Sequence, residues 1–240
     1  MIIAPSLLNS KLYEFEKNQE IFQKNGITEL HIDVMDGNFV PDQANGPKLI
    51  RDIRPLSNLY FDIHLMISSP ERKIENYLDT GADGITFHIE ATSDSMYIVN
   101  TLKNANIDAS VAVNPGTSLN AIEELLPKIN RVLIMTANPG RSEEQFHLEC
   151  LEKIKKLNRI RKDKGYKFVI QSDGKVDNKV ITSLKESGCD HIVSGGYIFN
   201  HKSPGRQIQN LIKELDKWWP IQHIEITSRF LKNLTCIKKN

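Results

Sequence analysis

The sequence is poor in cysteine, has almost no net charge and contains no long apolar run. Its three cysteines, Cys150, Cys189 and Cys236, lie too far apart for a C-x-x-C motif or a zinc finger, which favours reduced thiols in a cytoplasm. The 31 Lys and Arg residues almost balance the 30 Asp and Glu residues, so the charge does not favour a nucleic acid or an anionic membrane as partner. No segment approaches the length of a membrane span, and the first residues lack the basic region of a signal peptide, so we expect a cytoplasmic protein.

Short runs rich in Ile, Val and Leu alternate with longer charged segments of helical period over most of the 240 residues. The short runs predict strands at 2–5, 29–34, 60–65, 84–88, 109–113, 131–135, 167–170 and 191–194. The longer segments predict helices at 13–24, 47–53, 71–80, 95–104, 119–128, 146–162, 178–186 and 206–217. Because parallel neighbours need a crossover connection, strands that alternate with helices favour a parallel sheet.

Four of the predicted helices are followed by a glycine, the residue that a left-handed helix C-cap favours. These glycines are Gly26, Gly81, Gly165 and Gly188. Eight strand and helix units with this repeated ending fit a (β/α)8 barrel, the TIM barrel, better than an open doubly wound sheet. We expect one α/β domain of this kind over residues 1–217. Residues 218–240 form a C-terminal extension of unknown role, which is a poorly ordered terminus, a subunit contact or a short helix on the barrel base.

The residues at the predicted strand ends are important because (β/α)8 barrels carry their chemistry there. In the run 29–36, alternation places His31 and Asp33 on one face, and a second run, 61–66, has His64 near its end. A histidine and a carboxylate at a strand end are costly to bury unless they form hydrogen bonds or hold a metal. The alternative is a half-buried strand whose polar residues alternate by chance.

His31, Asp33, His64 and Asp173 can converge at a barrel mouth as a mixed nitrogen and oxygen ligand set. Such a set suits one divalent ion of zinc, iron, manganese or cobalt, and the choice among these stays open. A substrate carbonyl and its neighbouring hydroxyl could chelate the ion, which would stabilise an enediolate. Asp33 and Asp173, on nearly opposite strands, would then be the catalytic acid and base on the two faces of the planar intermediate, and the carbon between them would be inverted.

Two further groups of residues are candidates for substrate contact. Met35, Met66 and Met135 lie at comparable strand ends and could form an apolar floor that keeps water from the intermediate, although such methionines more often fill a core. The glycines that follow the last three predicted strands expose backbone N–H groups where barrels commonly bind phosphate. These glycines are Gly140, Gly174, Gly195 and Gly196.

Five runs carry a further signal when they are taken together and in order. They are Ile3-Ala4-Pro5-Ser6-Leu7-Leu8, the run 31–41, Asp62-Ile63-His64-Leu65-Met66, Asn138-Pro139-Gly140 and Asp173-Gly174. The set resembles the ribulose-phosphate 3-epimerase family. The resemblance implies a (β/α)8 barrel of the ribulose-phosphate-binding type that interconverts D-ribulose 5-phosphate and D-xylulose 5-phosphate with one divalent metal ion. It also implies the metal ligands His31, Asp33, His64 and Asp173, the acid/base pair Asp33 and Asp173, and substrate contacts from Ser6, His64 and the loop glycines.

The phosphate region departs from the pattern that this family usually shows. Where the family has an aromatic residue and two glycines before a glutamine, this chain has Arg141, Ser142, Glu143 and Glu144 before Gln145. Lys175 replaces the usual second glycine, Gly195-Gly196 replaces the usual Gly-Ser, and the loop 42–47 is also altered. We hypothesise that Arg141 or Lys175 takes over part of the phosphate binding, the alternative being that both are solvated loop residues.

Three other functions fit parts of the pattern. The same epimerase chemistry could act on another sugar phosphate, such as allulose 6-phosphate. A non-catalytic barrel that only binds a sugar phosphate would have no need of two acid/base groups. A decarboxylase on this barrel would carry a lysine in a D-x-K-x-x-D arrangement, which the run 31–36 lacks. For the leading function we expect a phosphorylated ketose as substrate, no nucleic-acid or membrane partner, and a homo-oligomer.

Overall fold

The structure is a computed structural model that describes residues 1–141 and 143–217. Its strands are β1 Ile2–Pro5, β2 Glu29–Asp36, β3 Gln43–Ala44, β4 Tyr60–Met66, β5 Gly84–His88, β6 Asp108–Val113, β7 Arg131–Met135, β8 Val169–Asp173 and β9 His191–Ser194. Its α-helices are α1 Phe15–Lys24, α2 Pro47–Ile53, α3 Ser95–Asn104, α4 Cys150–Lys164, α5 Ile181–Ser187, α6 Gly196–Phe199 and α7 Pro204–Asp216. The C-terminal extension predicted at 218–240 lies outside the described residues.

Eight of these strands form one parallel ring, in the order β1, β2, β4, β5, β6, β7, β8 and β9. A parallel bridge between Ser6 and His31 joins β1 to β2 and closes the ring. The short strand β3 pairs antiparallel with the end of β2. Sequential strands that pair in parallel around a closed ring are the hallmark of a (β/α)8 barrel, so the predicted fold class is confirmed.

The bounds of the strand predicted at 167–170 are wrong, because β8 begins at Val169 and continues to Asp173. The polar residues Gln171 and Ser172 suggest a loop, yet both are fully buried. Gln171 faces the polar interior of the barrel, where it donates to Glu29. A strand whose inward positions are polar escapes a prediction that is based on apolar runs.

Two segments predicted as α-helices are 3-10 helices instead. The helix predicted at 119–128 is the 3-10 helix Leu119–Lys128, and its Pro127 cannot donate the backbone hydrogen bond that an α-helix needs. The segment predicted at 71–80 forms the short turns Pro70–Arg72 and Ile74–Tyr77. There the Thr80 hydroxyl donates to the Tyr77 carbonyl at 2.7 Å, which competes with continued helix formation. The other helices match their predictions to within a few residues at the ends.

Of the four predicted glycine C-caps, those of α4 and α5 are confirmed, whereas Gly26 lies one residue beyond the Asn25 C-cap of α1 and Gly81 follows no α-helix. Helices α4 and α5 end at Gly165 and Gly188, whose φ angles of 69° and 94° are left-handed. At Gly188 a Cβ atom would also lie 1.9 Å from Asn158 Nδ2, so close packing against α4 requires glycine there as well.

The apolar core lies between the strands and the surrounding helices, whereas part of the barrel interior is polar. Ile32 and Val34 belong to the core, while the alternating positions of β2 carry the buried Glu29, His31 and Asp33. Buried polar groups must find partners, so the interior of the barrel is the first place to look for a functional site. In the described part of the chain, no helix is both long and apolar enough to cross a membrane.

Candidate active site and metal centre

The register between β2 and β4 brings the polar residues of the two strands into direct pairs. His31 lies beside Asp62, and Asp33 lies beside His64. Because paired residues in a parallel sheet point to the same face, all four side chains enter the barrel interior. Asp173, at the end of β8, reaches the same place from across the ring.

His31, Asp33, His64 and Asp173 each place one ligand atom within 4.8 Å of the others, and they form what we call the His/Asp cluster. His31 Nε2 and His64 Nδ1 are 3.3 Å apart, and Asp33 Oδ1 lies 3.4 Å and 3.1 Å from them. Asp173 Oδ2 lies 3.7 Å from each of the two nitrogens. Four ligands placed tetrahedrally at about 2.0–2.1 Å from an ion are separated by about 3.3–3.4 Å, so these residues fit a first-row divalent ion.

Hydrogen bonds behind the cluster orient the lone pairs of both imidazoles. His31 Nδ1 lies 2.8 Å from Asp62 Oδ2, so it donates to that carboxylate and leaves the Nε2 lone pair facing the cluster. His64 Nε2 lies 2.9 Å from His88 Nε2, and His88 Nδ1 lies 3.2 Å from Glu90 Oε2. If His88 donates to Glu90, its Nε2 accepts from His64, which leaves His64 Nδ1 free to bind a metal.

A cavity of about 670 Å³ opens above the cluster, and Asp33 and Asp173 both line it. It is also lined by ten of the residues predicted to contact substrate, namely Ser6, Met35, Met66, Met135, Gly140, Arg141, Gly174, Lys175, Gly195 and Gly196. His64, which was also predicted to contact substrate, is fully buried and is not among the lining residues. Seven further polar side chains line the cavity, namely those of Asn9, Asp42, Asn138, Asp177, Tyr197, Asn200 and His201. None of these seven residues lies in a strand, so no strand alternation marks them as facing the site.

Comparison with known proteins identifies the family. The family model described as "Ribulose-phosphate 3 epimerase family" matches residues 2–199. The chain belongs to the ribulose-phosphate 3-epimerase family. The resemblance drawn from the sequence motifs is therefore confirmed, and the protein is an epimerase of this family with a buried His/Asp group that fits its type of metal site.

Individual relatives of the epimerase family support this assignment. The chain is 35% identical over 198 residues to the ribulose-phosphate 3-epimerase of Treponema pallidum, covering 82% of this chain and 91% of that protein. It is 33% identical over 213 residues to the chloroplastic ribulose-5-phosphate-3-epimerase of Arabidopsis thaliana, covering 88% and 76%. The solved structure of 3-hexulose-6-phosphate synthase from Salmonella typhimurium matches with a TM-score of 0.69 at 16% identity, covering 90% of this chain and 99% of that one. At this identity the solved structure supports the fold alone.

Glycines in the epimerase cavity allow neighbouring loops to approach closely. Gly174 has a φ of 114°, and a Cβ atom there would lie 2.5 Å from the backbone nitrogen of Ala137. Gly140 has a φ of 66°, and a Cβ atom there would lie 2.5 Å from Val40 Cβ. Lys175 has a φ of 57°, so this chain keeps a lysine in a left-handed conformation that favours glycine.

Asp33 and Asp173, which both line the epimerase cavity, have opposite pKa shifts. Burial raises the pKa of Asp33, but the neighbouring His31 and His64 outweigh burial and hold its pKa well below the usual range. For Asp173, burial is reinforced by the charge of Asp33, and together they raise its pKa to about 7. Near neutral pH, Asp33 is therefore ionised while Asp173 carries a proton for a substantial part of the time. Ser6 Oγ also donates to Asp33 Oδ2 at 2.6 Å, which favours the ionised form and fixes its orientation.

Asp62 and Glu90 support the epimerase site without belonging to the cluster. Burial raises the pKa of Asp62, but Arg131 and His31 outweigh it and hold the pKa below its usual range, so Asp62 accepts hydrogen bonds as a carboxylate. Alternation along β4 places Asp62 on the face of His64, which is the signal that could have identified it from the sequence. Glu90 lies two residues beyond His88 on a 3-10 turn, where strand alternation no longer applies.

Proposed function

We propose that the protein interconverts D-ribulose 5-phosphate and D-xylulose 5-phosphate by proton transfer at C3. The observation that carries this proposal is that Asp33 and Asp173 line one cavity from different sides of the barrel. Their strands, β2 and β8, are separated by β1 and β9 on one side of the ring and by four strands on the other. Both relatives compared above carry names that specify this substrate or its class, which supports the choice.

Two carboxyls on opposite sides of a sugar carbon can invert it. The ionised Asp33 removes the C3 proton from one face, and the protonated Asp173 delivers a proton to the other face. The reverse reaction uses the same groups with their roles exchanged. Their pKa values shift in opposite directions, which favours Asp33 as the base and Asp173 as the acid.

His31, Asp33, His64 and Asp173 would hold one divalent ion of zinc, iron, manganese or cobalt. When bound, such an ion supplies positive charge that stabilises the enediolate formed as the C3 proton leaves. Met35, Met66 and Met135 are almost fully buried at the cavity wall. Their apolar side chains exclude water from the reacting carbon, which favours return of the proton from a carboxyl over uncontrolled exchange with solvent.

The far wall of the cavity has the features of a phosphate site. Gly174, Gly195 and Gly196 line the cavity together with the cationic residues Arg141 and Lys175. Backbone donors and cationic side chains are the groups that recognise a phosphate dianion. We assign this wall to the phosphate and the His/Asp cluster to the carbon that reacts.

Incubation with single ketose phosphates in heavy water tests the proposed function. We expect the metal-loaded protein to convert D-ribulose 5-phosphate to D-xylulose 5-phosphate with deuterium at C3. Exchange with allulose 6-phosphate and not with ribulose 5-phosphate would assign the hexulose phosphate as substrate. If no ketose phosphate exchanges its C3 proton while one still binds, the barrel is a binding protein and the proposed activity is wrong.

Replacement of either carboxyl by its amide tests the proton-transfer roles. Asp33→Asn and Asp173→Asn should each lower kcat at least about a hundredfold, the scale of a lost general acid or base. The turnover is measured on samples whose metal content has been determined, since both residues also belong to the cluster. Asp79→Asn, on the exposed surface beside Arg51, is the matched control and should leave kcat unchanged. Near-normal turnover of either cluster variant with metal bound would contradict its role as proton carrier.

Removal of the two cationic side chains tests the phosphate wall. Arg141→Met combined with Lys175→Met should raise KM for the phosphorylated ketose about tenfold or more, because each lost hydrogen bond to a charged group is worth about 1.5–3 kcal/mol. The value of kcat should change much less, since neither side chain belongs to the His/Asp cluster. Lys48→Met on the outer surface of α2 serves as the control. An unchanged KM in the double variant would show that both residues are solvated loop residues.

A further inference from the structure

Three charged side chains lie inside the barrel beneath the His/Asp cluster. Glu29 is the first residue of β2, Asp62 lies within β4, and Arg131 is the first residue of β7. Their side chains are 4%, 1% and 7% exposed. We call these three residues the interior ion network.

The contacts of Arg131 join the other two members of this network. One terminal nitrogen, Nη1, donates to Glu29 Oε1 and, at 2.8 Å, to Asp62 Oδ2. The other nitrogen, Nη2, donates to Glu29 Oε2 at 3.1 Å. Glu29 is held further by Gln171 Nε2 at 3.3 Å and His191 Nδ1 at 3.1 Å. The guanidinium is therefore fixed between two carboxylates, one on β2 and one on β4. The β2 carboxylate is held in turn by residues of β8 and β9.

Stability alone is a weak explanation for the interior ion network. The interior of such barrels is usually filled by branched apolar residues, and charged side chains are rarely buried to this degree. Replacing a buried ion network by apolar residues of similar size is often neutral or stabilising, because the charges no longer have to be desolvated. A network that adds little stability but touches the candidate site calls for a functional explanation.

The point of contact with the site is a single oxygen atom. Asp62 Oδ2 accepts from Arg131 Nη1 and from His31 Nδ1, each at 2.8 Å. The second oxygen, Oδ1, accepts from Thr86 Oγ1 at 3.2 Å. The Asp62 carboxylate thus has no freedom to rotate without losing one of these bonds, and its orientation determines which nitrogen of His31 faces the cluster.

We propose that Arg131 is a positioning residue for the metal centre. It acts through Asp62: the guanidinium holds the carboxylate that accepts from His31 Nδ1, and this keeps His31 Nε2 directed at the His/Asp cluster. Glu29 holds the guanidinium from the opposite side. Arg131 neither lines the cavity nor belongs to the cluster, so its effect is on the geometry and affinity of metal binding. This role rests on the metal site of the proposed function and not on the identity of the sugar.

A double variant separates positioning from support of the fold. Arg131→Met alone would leave Glu29 buried without its cation, so it is combined with Glu29→Gln, which keeps a polar partner for Gln171 and His191. Co²⁺ is the probe, since its visible absorption reports the ligand geometry and its affinity is measured by competition with a chelator. We expect the double variant to bind Co²⁺ about tenfold more weakly than the wild type, with an altered spectrum. Asp62 also loses its cation in this variant, so thermal unfolding without metal is recorded first, and Co²⁺ binding is measured on protein that is shown to be folded.

A second, partly buried ion pair provides the control. Arg161 contacts Asp190 near the start of β9, away from the His/Asp cluster. Arg161→Met combined with Asp190→Asn removes a partly buried pair of arginine and carboxylate and should leave the Co²⁺ affinity and spectrum unchanged. Equal Co²⁺ affinity and an unchanged spectrum in the folded Glu29→Gln, Arg131→Met variant would overturn the positioning role.

Arg131→Lys keeps the test decisive if the double variant does not fold. The lysine retains the buried positive charge but lacks the planar fork that contacts Glu29 and Asp62 together. We expect a folded protein with weaker Co²⁺ binding, and wild-type affinity with a wild-type spectrum would overturn the proposal. Failure of the wild type itself to bind Co²⁺ would overturn the positioning role together with the metal site. Tight Co²⁺ binding without turnover of any ketose phosphate would overturn the proposed activity alone.

Discussion

The parallel register between β2 and β4 is the constraint on which the candidate site depends. It places His31 beside Asp62 and Asp33 beside His64, so two adjacent strands supply three members of the His/Asp cluster and one of its supports. A shift of the register by one residue would turn the polar side chains of either β2 or β4 out of the barrel. It would also separate both pairs. The fold therefore determines the chemistry directly, because the hydrogen bonds that pair the strands also set the distances between the ligand atoms.

The interior of the barrel concentrates charge where water is scarce. Asp33, Asp62 and Glu29 lie buried within two adjacent strands, and Arg131 offsets part of their negative charge from below. Burial, together with the charge of Asp33, raises the pKa of Asp173 to about 7, while imidazoles hold that of Asp33 low. The same arrangement thus supplies an ionised and a protonated carboxyl and a set of donors that suits a divalent cation.

The fold and three members of the His/Asp cluster could be predicted from the sequence because both follow local periodicity. Alternation identified His31, Asp33 and His64, and the glycines after helices marked the repeated strand and helix units. The partners of these residues could not be predicted in the same way. Arg131 and Glu29 are 102 residues apart in the sequence, and their contact exists only once the ring has closed. The end of β8 was missed because the buried polar residues Gln171 and Ser172 interrupt the apolar run that marks a strand.

The central claim is that four side chains from β2, β4 and β8 bind one divalent ion between two carboxyls. Diffraction from crystals grown with Zn²⁺, recorded at the zinc absorption edge, tests it most directly. We predict one anomalous peak at about 2.0–2.2 Å from His31 Nε2, His64 Nδ1 and an oxygen of each of Asp33 and Asp173. No peak at the His/Asp cluster, or a peak that contacts only one of the two aspartates, would contradict it.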